Sequence, residues 1–204
     1  MARPRTHDDS VRRRLLESAS RAISRGGPAG LSVRAVAAEA GTTTAAVYSL
    51  FGSRDGLVGA VVEEGFRRFA EQLAHVSRTA DPVADLFALG LAYRRSALTE
   101  PHFYRVMFAP APADPDAASD TAGGGHHGRG SRESMGRPTF AVLRSAVERA
   151  LAAGERTTGD AEEIAVRLWS LTHGLVSLEL AGLLPGDAAE REARYRDALR
   201  TARW

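Results

Sequence analysis

Apolar residues along the chain recur mostly at spacings of three and four, the period of helices that bury one face. No stretch alternates apolar and polar residues for long enough to predict a strand, so the pattern predicts an all-α fold. The first predicted helix carries on one face Val11, Leu15, Ala19, Ala22 and Ile23. The segment Gly26 to Pro28 then ends it.

Three more helices are predicted in the first 80 residues. Ser32 is a suitable N-cap for a second helix, which Gly41 ends. A short third helix follows over about Thr43 to Leu50, and Ser53 can cap a longer fourth one. The apolar face of the fourth helix consists of Leu57, Val58, Val61, Val62, Phe66, Phe69, Leu73 and Val76.

The middle of the chain changes in composition. Asp81 followed by Pro82 predicts the start of a helix that runs to about Thr99, and Pro101 interrupts it. Residues 109–138 are rich in alanine, proline, glycine and aspartate and show no apolar periodicity. They predict a mobile loop, because such a segment buries too little surface to offset its ordering entropy.

Helical periodicity returns over Thr139 to Ala153. Two later helices are predicted to open at Asp160 and Asp187, each of which is followed three residues later by glutamate. The chain is predicted to end on a helix at Trp204.

The composition excludes several classes of protein. The 204 residues include no cysteine, which excludes a disulfide framework, a thiolate metal site and a cysteine nucleophile. With 44% apolar and 25% charged residues, the chain has the composition of an ordinary globular protein of one or two domains. Met1 to Arg14 carries arginines without an apolar run behind them, so we expect no secretion signal and a cytoplasmic protein.

Positive charge is concentrated at the start of the chain. The formal net charge is +2, but residues 1–60 hold nine arginines against five acidic residues, and the rest of the chain is net acidic. Every basic residue is arginine, whose planar guanidinium suits contacts to phosphate. Compositional bias explains the arginine usage of the whole chain better than function does.

The spacing around Gly41 predicts a helix-turn-helix. Val36 and Ala37 lie five and four residues before this glycine, and Val47 and Leu50 lie six and nine residues after it. A helix-turn-helix needs a glycine for the tight turn, a small residue where the helices cross, and apolar residues that fix their angle. Its second helix can lie in the major groove of DNA.

A family resemblance rests on three adjoining stretches, Ser32-Val-Arg-Ala-Val-Ala-Ala-Glu-Ala-Gly41, Thr42-Thr-Thr-Ala-Ala-Val-Tyr48-Ser-Leu-Phe51 and Gly52-Ser-Arg-Asp-Gly-Leu57. Together they resemble the DNA-binding domain of the TetR family of bacterial transcription regulators, over about residues 8–60. One group of TetR-type ligand-binding domains is similar to two later stretches, Pro101-His-Phe-Tyr-Arg-Val-Met-Phe108 and Trp169-Ser-Leu-Thr-His-Gly174.

The resemblance implies a fold and a function. We expect a three-helix, helix-turn-helix DNA-binding domain over residues 1–56 and a helical effector-binding and dimerisation domain over residues 57–204. The function implied is that of a repressor, released from a palindromic operator by a small-molecule effector through the fourth helix. No cofactor, metal or membrane partner is expected.

The resemblance also implies DNA-contacting residues. Thr43 and Thr44 stand at the start of the recognition helix, where hydroxyl and backbone N–H groups can meet phosphate or a base edge. Tyr48 is equally compatible with a phosphate contact and with a place in the core, whereas a core role is expected for Phe51. Arg54 stands where the family usually has a lysine that contacts the DNA backbone.

This sequence departs from the family pattern at Thr42, where an aliphatic residue is usual, and at Thr44, where a basic residue is frequent. Fewer charges therefore touch phosphate from the recognition helix. We expect Arg34, Arg54 and a flexible arginine-rich arm from Arg3 to Arg14 to supply more of the electrostatic affinity. The alternative for the arm is a solvated tail in the free protein.

The resemblance further implies that a small molecule binds among the helices after Gly56. Candidate residues for this site are Phe66, Phe69, Tyr93, Phe103, Met107, Trp169 and His173, with Tyr104 as a neighbour. His102 and Arg105 are additional polar anchors. The alternative for each of these residues is an ordinary place in the core.

The segment Leu168 to Leu184 is almost wholly apolar and is too short for a membrane span. We expect a helix buried on two sides, which forms a two-fold symmetric homodimer with the helix over Asp187 to Arg203; the interface spans about residues 160–184 and 187–203. Glu179, within this segment, either faces water at the edge of the interface or pairs with an arginine in the interface, and we expect the first.

Two other classes of function remain open. A ligand-independent architectural DNA-binding protein predicts weak discrimination between sequences. An all-helical enzyme is the second alternative, but the sequence contains no phosphate loop after a strand and no nucleophile elbow. His126 and His127 lie in a glycine-rich stretch without cysteine, which makes a metal site a weak interpretation.

Overall fold

The computed structural model describes residues 5–109, 127–154 and 159–202. Within these ranges the chain is all-α, as expected, with a 3₁₀ turn at Pro28–Gly30 and no strand. The helices are α1 (Arg5–Gly26), α2 (Val33–Glu39), α3 (Thr44–Phe51), α4 (Arg54–Ala74), α5 (Pro82–Thr99), α6 (Pro101–Phe108), α7 (His127–Ala152), α8 (Ala161–Leu180) and α9 (Ala188–Thr201). None of the described helices is both long and apolar enough to cross a membrane.

Packing divides the chain into two compact units. Unit 1 consists of Met1–Arg67 and His102–Met135, and unit 2 consists of Arg68–Pro101 and Gly136–Trp204. Position 56 falls in the first turn of α4. The predicted boundary between a DNA-binding domain (residues 1–56) and an effector-binding domain (residues 57–204) is therefore different from the boundary between the packing units. It stays a prediction about function.

The helices begin where the sequence predicts caps. Five side chains each accept a hydrogen bond from the backbone N–H three residues later, at 2.9 to 3.3 Å: Ser32, Ser53, Asp81, Asp160 and Asp187. At Asp187 the carboxylate of Glu190 also accepts from the backbone of the cap, which completes a capping box. These contacts are local in sequence, and for that reason the pattern predicts them.

The prediction of a mobile loop over residues 109–138 is wrong for its second part. Helix α7 begins at His127, so residues 127–138 are helical, while residues 110–126 lie outside the described residues. Adding residues to an existing helix is far less costly than nucleating one, so the apolar stretch after Thr139 can extend backwards through polar residues. Pro138 lies inside this helix, although it lacks the N–H that an interior position normally donates.

The helix expected to run through Leu184 ends four residues earlier than expected. Helix α8 ends at Leu180, and Gly182 has φ of +71°, a conformation that glycine adopts at helix ends without steric cost. The helix α9 that follows ends at Thr201. Trp204, where a final helix was expected to end, lies outside the described residues.

In unit 1 the core is formed by fully buried aliphatic side chains of α1 to α4, among them Leu15, Val36, Val47, Leu57 and Val61. Helices α4 and α6 approach closely at Gly65. A Cβ atom there would lie 2.7 Å from Cγ of Met107. The absence of a side chain at Gly65 is therefore a condition of this packing.

In unit 2 a core of buried side chains joins α5, α7 and α8. Its members are Leu86, Val147, Ile164, Ala165 and Leu168. Helix α9 is held against α5 by Tyr195, whose hydroxyl donates to the carbonyl oxygen of Gly90 at 2.8 Å. Within unit 2, each of α5, α8 and α9 thus contacts the other two.

Candidate functional site

The helix-turn-helix predicted around Gly41 is present in unit 1. Gly41 has φ of +64°, which is the left-handed conformation that the tight turn requires. The backbone N–H of Thr42 donates to the carbonyl oxygen of Ala37 at 2.9 Å and closes the turn. Val36 and Val47 are buried, so apolar contacts hold α2 and α3 together, as the spacing predicts.

Helix α3 presents short polar and apolar side chains to solvent. Thr44, Ala45, Tyr48 and Ser49 are exposed, and their positions place them on one face of the helix. Thr43 caps the helix, since its hydroxyl accepts from the backbone N–H of Ala46 at 3.2 Å. Tyr48 is 51% exposed, which excludes the alternative that it belongs to the core.

Arg54 is held by backbone carbonyl groups. Its Nε donates to Leu31 at 3.1 Å, and its Nη2 donates to Ala29 at 2.9 Å and to Pro28. Nη1 donates to the exposed carboxylate of Asp55 at 3.3 Å. Four of the five N–H groups of a guanidinium are therefore used within the protein, a role for Arg54 that the sequence did not predict.

The expectation of a flexible basic arm is wrong from Arg5 onward, because residues 5–14 belong to α1. The Nε of Arg14 donates to the carbonyl oxygen of Ala40 at 3.0 Å, next to the turn glycine. The guanidinium of Arg12 lies 4.9 Å from the ring centroid of Phe51, a cation–π distance. Phe51 is half-buried beneath it. These arginines hold together α1, α2 and α3, which we call the reading head. Arg3 lies outside the described residues.

A polar network that the sequence analysis missed connects α1 to α2. The hydroxyl of Ser18 donates to Glu39 at 2.7 Å, and Arg21 donates to the other carboxylate oxygen from Nε and Nη2, at 3.1 and 2.9 Å. The hydrogen bonds from Ser18 and then from Arg21 hold the pKa of Glu39 below its ordinary value. Arg34, which lies on α2 like Glu39, is exposed to solvent.

Four of the candidate effector-binding residues lie together in unit 2. The hydroxyl oxygen of Tyr93 and Nδ1 of His173 are 3.0 Å apart. The ring of Phe69 meets Tyr93 edge to face at 4.9 Å between centroids, and Trp169 meets His173 edge to face at 6.2 Å. Phe140 extends this cluster, 5.8 Å from Trp169. We call these five residues the aromatic cluster.

The aromatic cluster is an uncharged environment at neutral pH. Burial lowers the pKa of His173 below its ordinary value of 6.5. A neutral imidazole can accept a hydrogen bond from the Tyr93 hydroxyl at Nδ1. The sequence suggested each residue of this group except Phe140, which it did not single out.

The other three candidate effector-binding residues belong to unit 1. Phe66, Phe103 and Met107 are buried there. Met107 packs against Gly65, and the ring of Phe66 lies 6.0 Å from that of Phe108. Nδ1 of His102 lies 3.1 Å from the hydroxyl oxygen of Ser24, and Arg105 is exposed.

The expectation that Glu179 faces water is wrong. Its side chain is only 7% exposed, and Nε and Nη2 of Arg94 donate to its two carboxylate oxygens at 2.8 and 2.7 Å. These hydrogen bonds raise the pKa of Arg94 above its ordinary value. Glu192 on α9 lies 3.7 Å from the same guanidinium, so the buried pair connects α5, α8 and α9.

Within the part of the chain that the structure describes, no three histidine or acidic side chains are grouped to hold a metal ion. His126 lies outside the described residues, and the side chain of His127 is likewise outside them. The described residues thus offer no candidate metal centre.

The turn, the capped exposed helix and the separate helical core define a helix-turn-helix regulator. A sequence model of the family "Bacterial regulatory proteins, tetR family" matches residues 15–61. A second model, "Tetracyclin repressor-like, C-terminal domain", matches residues 86–202, which is more than half of the chain. The chain therefore belongs to the TetR family and is a DNA-binding transcription regulator with a ligand-binding C-terminal domain. Its family is one of transcription factors, which excludes the alternative of an all-helical enzyme.

Solved structures agree with this fold. A protein with unknown function from Rhodococcus sp. RHA1 is 27% identical, with a TM-score of 0.68 and 93% of each chain covered. The TetR family transcriptional regulator PfmR from Thermus thermophilus is 18% identical, with a TM-score of 0.69 over 91% of this chain and 96% of that one. A TetR family transcription regulator from Marinobacter aquaeolei VT8 is 21% identical, with a TM-score of 0.69 and 97% of each chain covered. No curated protein sequence matches the chain.

Proposed function

We propose that this protein is a repressor that binds a palindromic operator as a symmetric homodimer and leaves it when a small-molecule effector binds. The observation that carries the proposal is that α8 takes part in two surfaces. It contributes His173 to the aromatic cluster, and it exposes the apolar side chains of Val166 and Leu178. A ligand at the cluster would therefore act on the helix that pairs the two subunits.

The DNA-binding part of the proposal rests on α3 and its neighbours. Thr44 and Tyr48 are exposed on the recognition helix, Thr43 caps it, and Arg34 is exposed on the preceding helix. We assign base-edge contacts to Thr44 and phosphate contacts to Thr43, Tyr48 and Arg34. Arg54 supports this surface through the carbonyl groups that it binds, and a phosphate contact would have to use its remaining N–H group.

The dimer is proposed to form through α8 and α9. The exposed face of α8 includes Val166, 44% exposed, and Leu178, 41% exposed, with the small residues Ser170, Gly174 and Ser177 between them. A Cβ atom at Gly174 would meet nothing within 4 Å, so a second helix has room to approach. Pairing is needed because a single eight-residue helix reads few base pairs, and two such helices about 34–36 Å apart read a palindrome.

The effector is proposed to bind at the aromatic cluster. Trp169 is 37% exposed, so the cluster extends from the buried Phe69 and Tyr93 to the surface of unit 2. Phe66, Phe103 and Met107 stay separate candidates, within unit 1. Helix α4 carries both Arg54 and Phe69 as one continuous helix, and we propose that it transmits the effect of the ligand. The operator is expected on the chromosome, so that the protein acts in the cytoplasm.

Selection of duplexes from random DNA with the full-length protein tests the proposal, followed by titration with small aromatic and apolar molecules. Trp169 fluorescence reports ligand binding in a Trp204→Phe variant. An effector should weaken operator binding, and the operator should weaken effector binding by the same factor. A Tyr93→Phe variant should keep its operator and respond less to the effector. Binding of effector and operator together, with unchanged affinities, would contradict the proposal.

Sequence specificity distinguishes the proposed repressor from the alternative, an architectural DNA-binding protein. A repressor should bind its selected operator about 10³ to 10⁷ times more tightly than random duplex. An architectural protein should show little preference. Competition between the selected operator and random duplex at one stated salt concentration measures this ratio.

A further inference from the structure

The recognition helix carries no side chain that can form the strongest base-specific contacts. Between Thr42 and Gly52 the chain contains no arginine, lysine, asparagine, glutamine, aspartate or glutamate. Arginine and lysine are the usual readers of guanine, and asparagine and glutamine are the usual readers of adenine. A base edge that faces α3 is therefore not read by a charged or amide side chain of this helix.

Arginines near α3 do not replace these readers. The guanidinium of Arg54 is held by carbonyl groups, Arg14 donates to Ala40, and Arg12 lies over Phe51. Arg34 is the second residue of α2, and the first helix of a helix-turn-helix crosses the DNA backbone. Its position suits a phosphate contact.

The groups that α3 does expose are methyl and hydroxyl groups and the ring of Tyr48. Thr44 and Ala45 are the first two residues of the helix, where recognition helices contact base edges, and both are exposed. Ser49 and Tyr48, further along the same face, offer hydroxyl groups. In the major groove the one apolar group of a base edge is the C5 methyl of thymine, which alanine and threonine methyl groups contact.

We propose that the operator half-sites present thymine methyl groups to Ala45 and Thr44, and that these methyl contacts carry much of the sequence discrimination. The inference rests on the proposed function and specifies its DNA ligand: half-sites that contain thymine at the positions facing the start of α3. Hydroxyl contacts adapt to several bases, whereas a methyl contact distinguishes thymine from the other three.

Deoxyuridine tests this proposal, because it pairs like thymidine and lacks only the C5 methyl. The full-length protein is first used to select an operator from random duplex. Each thymine of its half-sites is then replaced in turn by deoxyuridine. For at least one thymine of each half-site, replacement of that single thymine should lower affinity about fourfold. This factor corresponds to the burial of one methyl group, about 0.8 kcal/mol. Replacement in both half-sites should lower affinity about 15-fold.

An Ala45→Gly variant identifies the protein partner of the methyl group. The ratio of its affinities for the thymine and deoxyuridine operators should fall towards one at the position that Ala45 faces. This ratio is measured within one protein, so loss of folded protein cancels from it. Ala46→Gly is the matched control: it introduces the same residue into the same helix at a half-buried position, and it should keep the wild-type ratio.

Three results are distinguishable. A selected operator whose thymines can all be replaced by deoxyuridine without loss would overturn the methyl proposal and leave the repressor proposal standing. Selected half-sites made only of G·C pairs would overturn it too. Failure to select any duplex would instead overturn the proposed function.

Discussion

Nε of Arg54, in the first turn of α4, donates a hydrogen bond to the carbonyl oxygen of Leu31, 23 residues earlier, at 3.1 Å. Nη2 of the same side chain binds the carbonyl groups of Pro28 and Ala29. Arg54 thereby fixes the start of α4 to the turn between α1 and α2. A helix that carries signals between a ligand and DNA needs such a fixed attachment.

The salt dependence of DNA binding separates positioning by Arg54 from phosphate contact. Arg54→Ala should weaken operator binding and leave the slope of log K against log salt unchanged, because the lost contacts are internal. Arg54→Lys should not restore affinity, since one ammonium group cannot reach three carbonyl groups in the guanidinium geometry. Arg34→Ala is the comparison and should reduce the steepness of the slope by about 1.8, because each of the two subunits loses one phosphate contact. An equal reduction with Arg54→Ala would show that Arg54 contacts phosphate.

Gly65 and Gly59 make a matched pair within α4. A Cβ atom at Gly65 meets the buried Met107, whereas a Cβ atom at Gly59 meets nothing within 4 Å. Alanine improves helix propensity equally at both positions, so the difference reports packing. Gly65→Ala should be less stable than Gly59→Ala by about 1–3 kcal/mol. Urea unfolding of both variants measures this, and equal stability would mean that Met107 moves aside without cost.

The buried pair of Arg94 and Glu179 predicts asymmetric effects of substitution. Arg94→Ala removes both hydrogen bonds to the buried carboxylate of Glu179 and leaves it only the longer ion pair with Nε of Arg191, at 3.6 Å, so it should cost about 3 kcal/mol of unfolding free energy. Replacing both residues by methionine should cost less than Arg94→Ala alone, because the buried carboxylate is then removed as well. Chemical denaturation of the wild type, of Arg94→Ala and of the double methionine variant measures the three free energies of unfolding. A double variant less stable than Arg94→Ala would contradict this view of the pair.

Asp85 predicts a pH dependence of stability. It accepts hydrogen bonds from the backbone N–H and hydroxyl of Thr79, and Arg149 donates to it at 2.8 Å. The backbone N–H of Thr79, then its hydroxyl and Arg149, lower the pKa of Asp85 below its ordinary value of 3.8. Its contribution is therefore complete above the unfolded pKa and is lost as the pH falls through the folded pKa.

Urea titrations of the wild type and of Asp85→Asn, between pH 7 and pH 2.5, test this dependence. The wild type should be the more stable protein at pH 7, and the difference should shrink below about pH 4 as the carboxylate is protonated. A difference that stays constant over this range would remove Asp85 from the acid response.

Ser177 tests the proposed subunit interface. It lies half-buried on α8 between Gly174 and the exposed Leu178, within the proposed interface. Ser177→Arg should give a monomer that binds the operator at least tenfold more weakly, because two reading heads no longer act together. Leu98→Arg, on exposed α5 surface outside the proposed interface, should leave the dimer intact. Light scattering with both variants makes the comparison.

Local signals in the sequence predict more of this molecule than distant ones do. The caps at Ser32 and Asp160 each use an N–H group three residues away, so the pattern contains both partners. Glu179 finds its partner 85 positions earlier in Arg94, and no helical spacing reveals such a pair. An apolar segment predicts burial, but not which charge is buried with it.

The same distinction holds at the reading head. The spacing around Gly41 is sufficient to predict the turn, because glycine, small and apolar residues stand at fixed distances along the chain. The acceptors of Arg54 depend on where the turn between α1 and α2 lies in space, and a family pattern that assigns the position to a phosphate contact does not contain that information. The candidate effector residues divide between two packing units for the same reason.

In the proposed complex, two identical reading heads meet one duplex as a symmetric pair. Sedimentation equilibrium of the full-length protein with its selected operator measures the number of chains per duplex. A symmetric pair should give an even number, two in the simplest case, on an inverted repeat whose half-sites lie about one helical turn apart. A single chain per duplex, or a protein that remains monomeric and binds no double-stranded sequence at low salt, would contradict it.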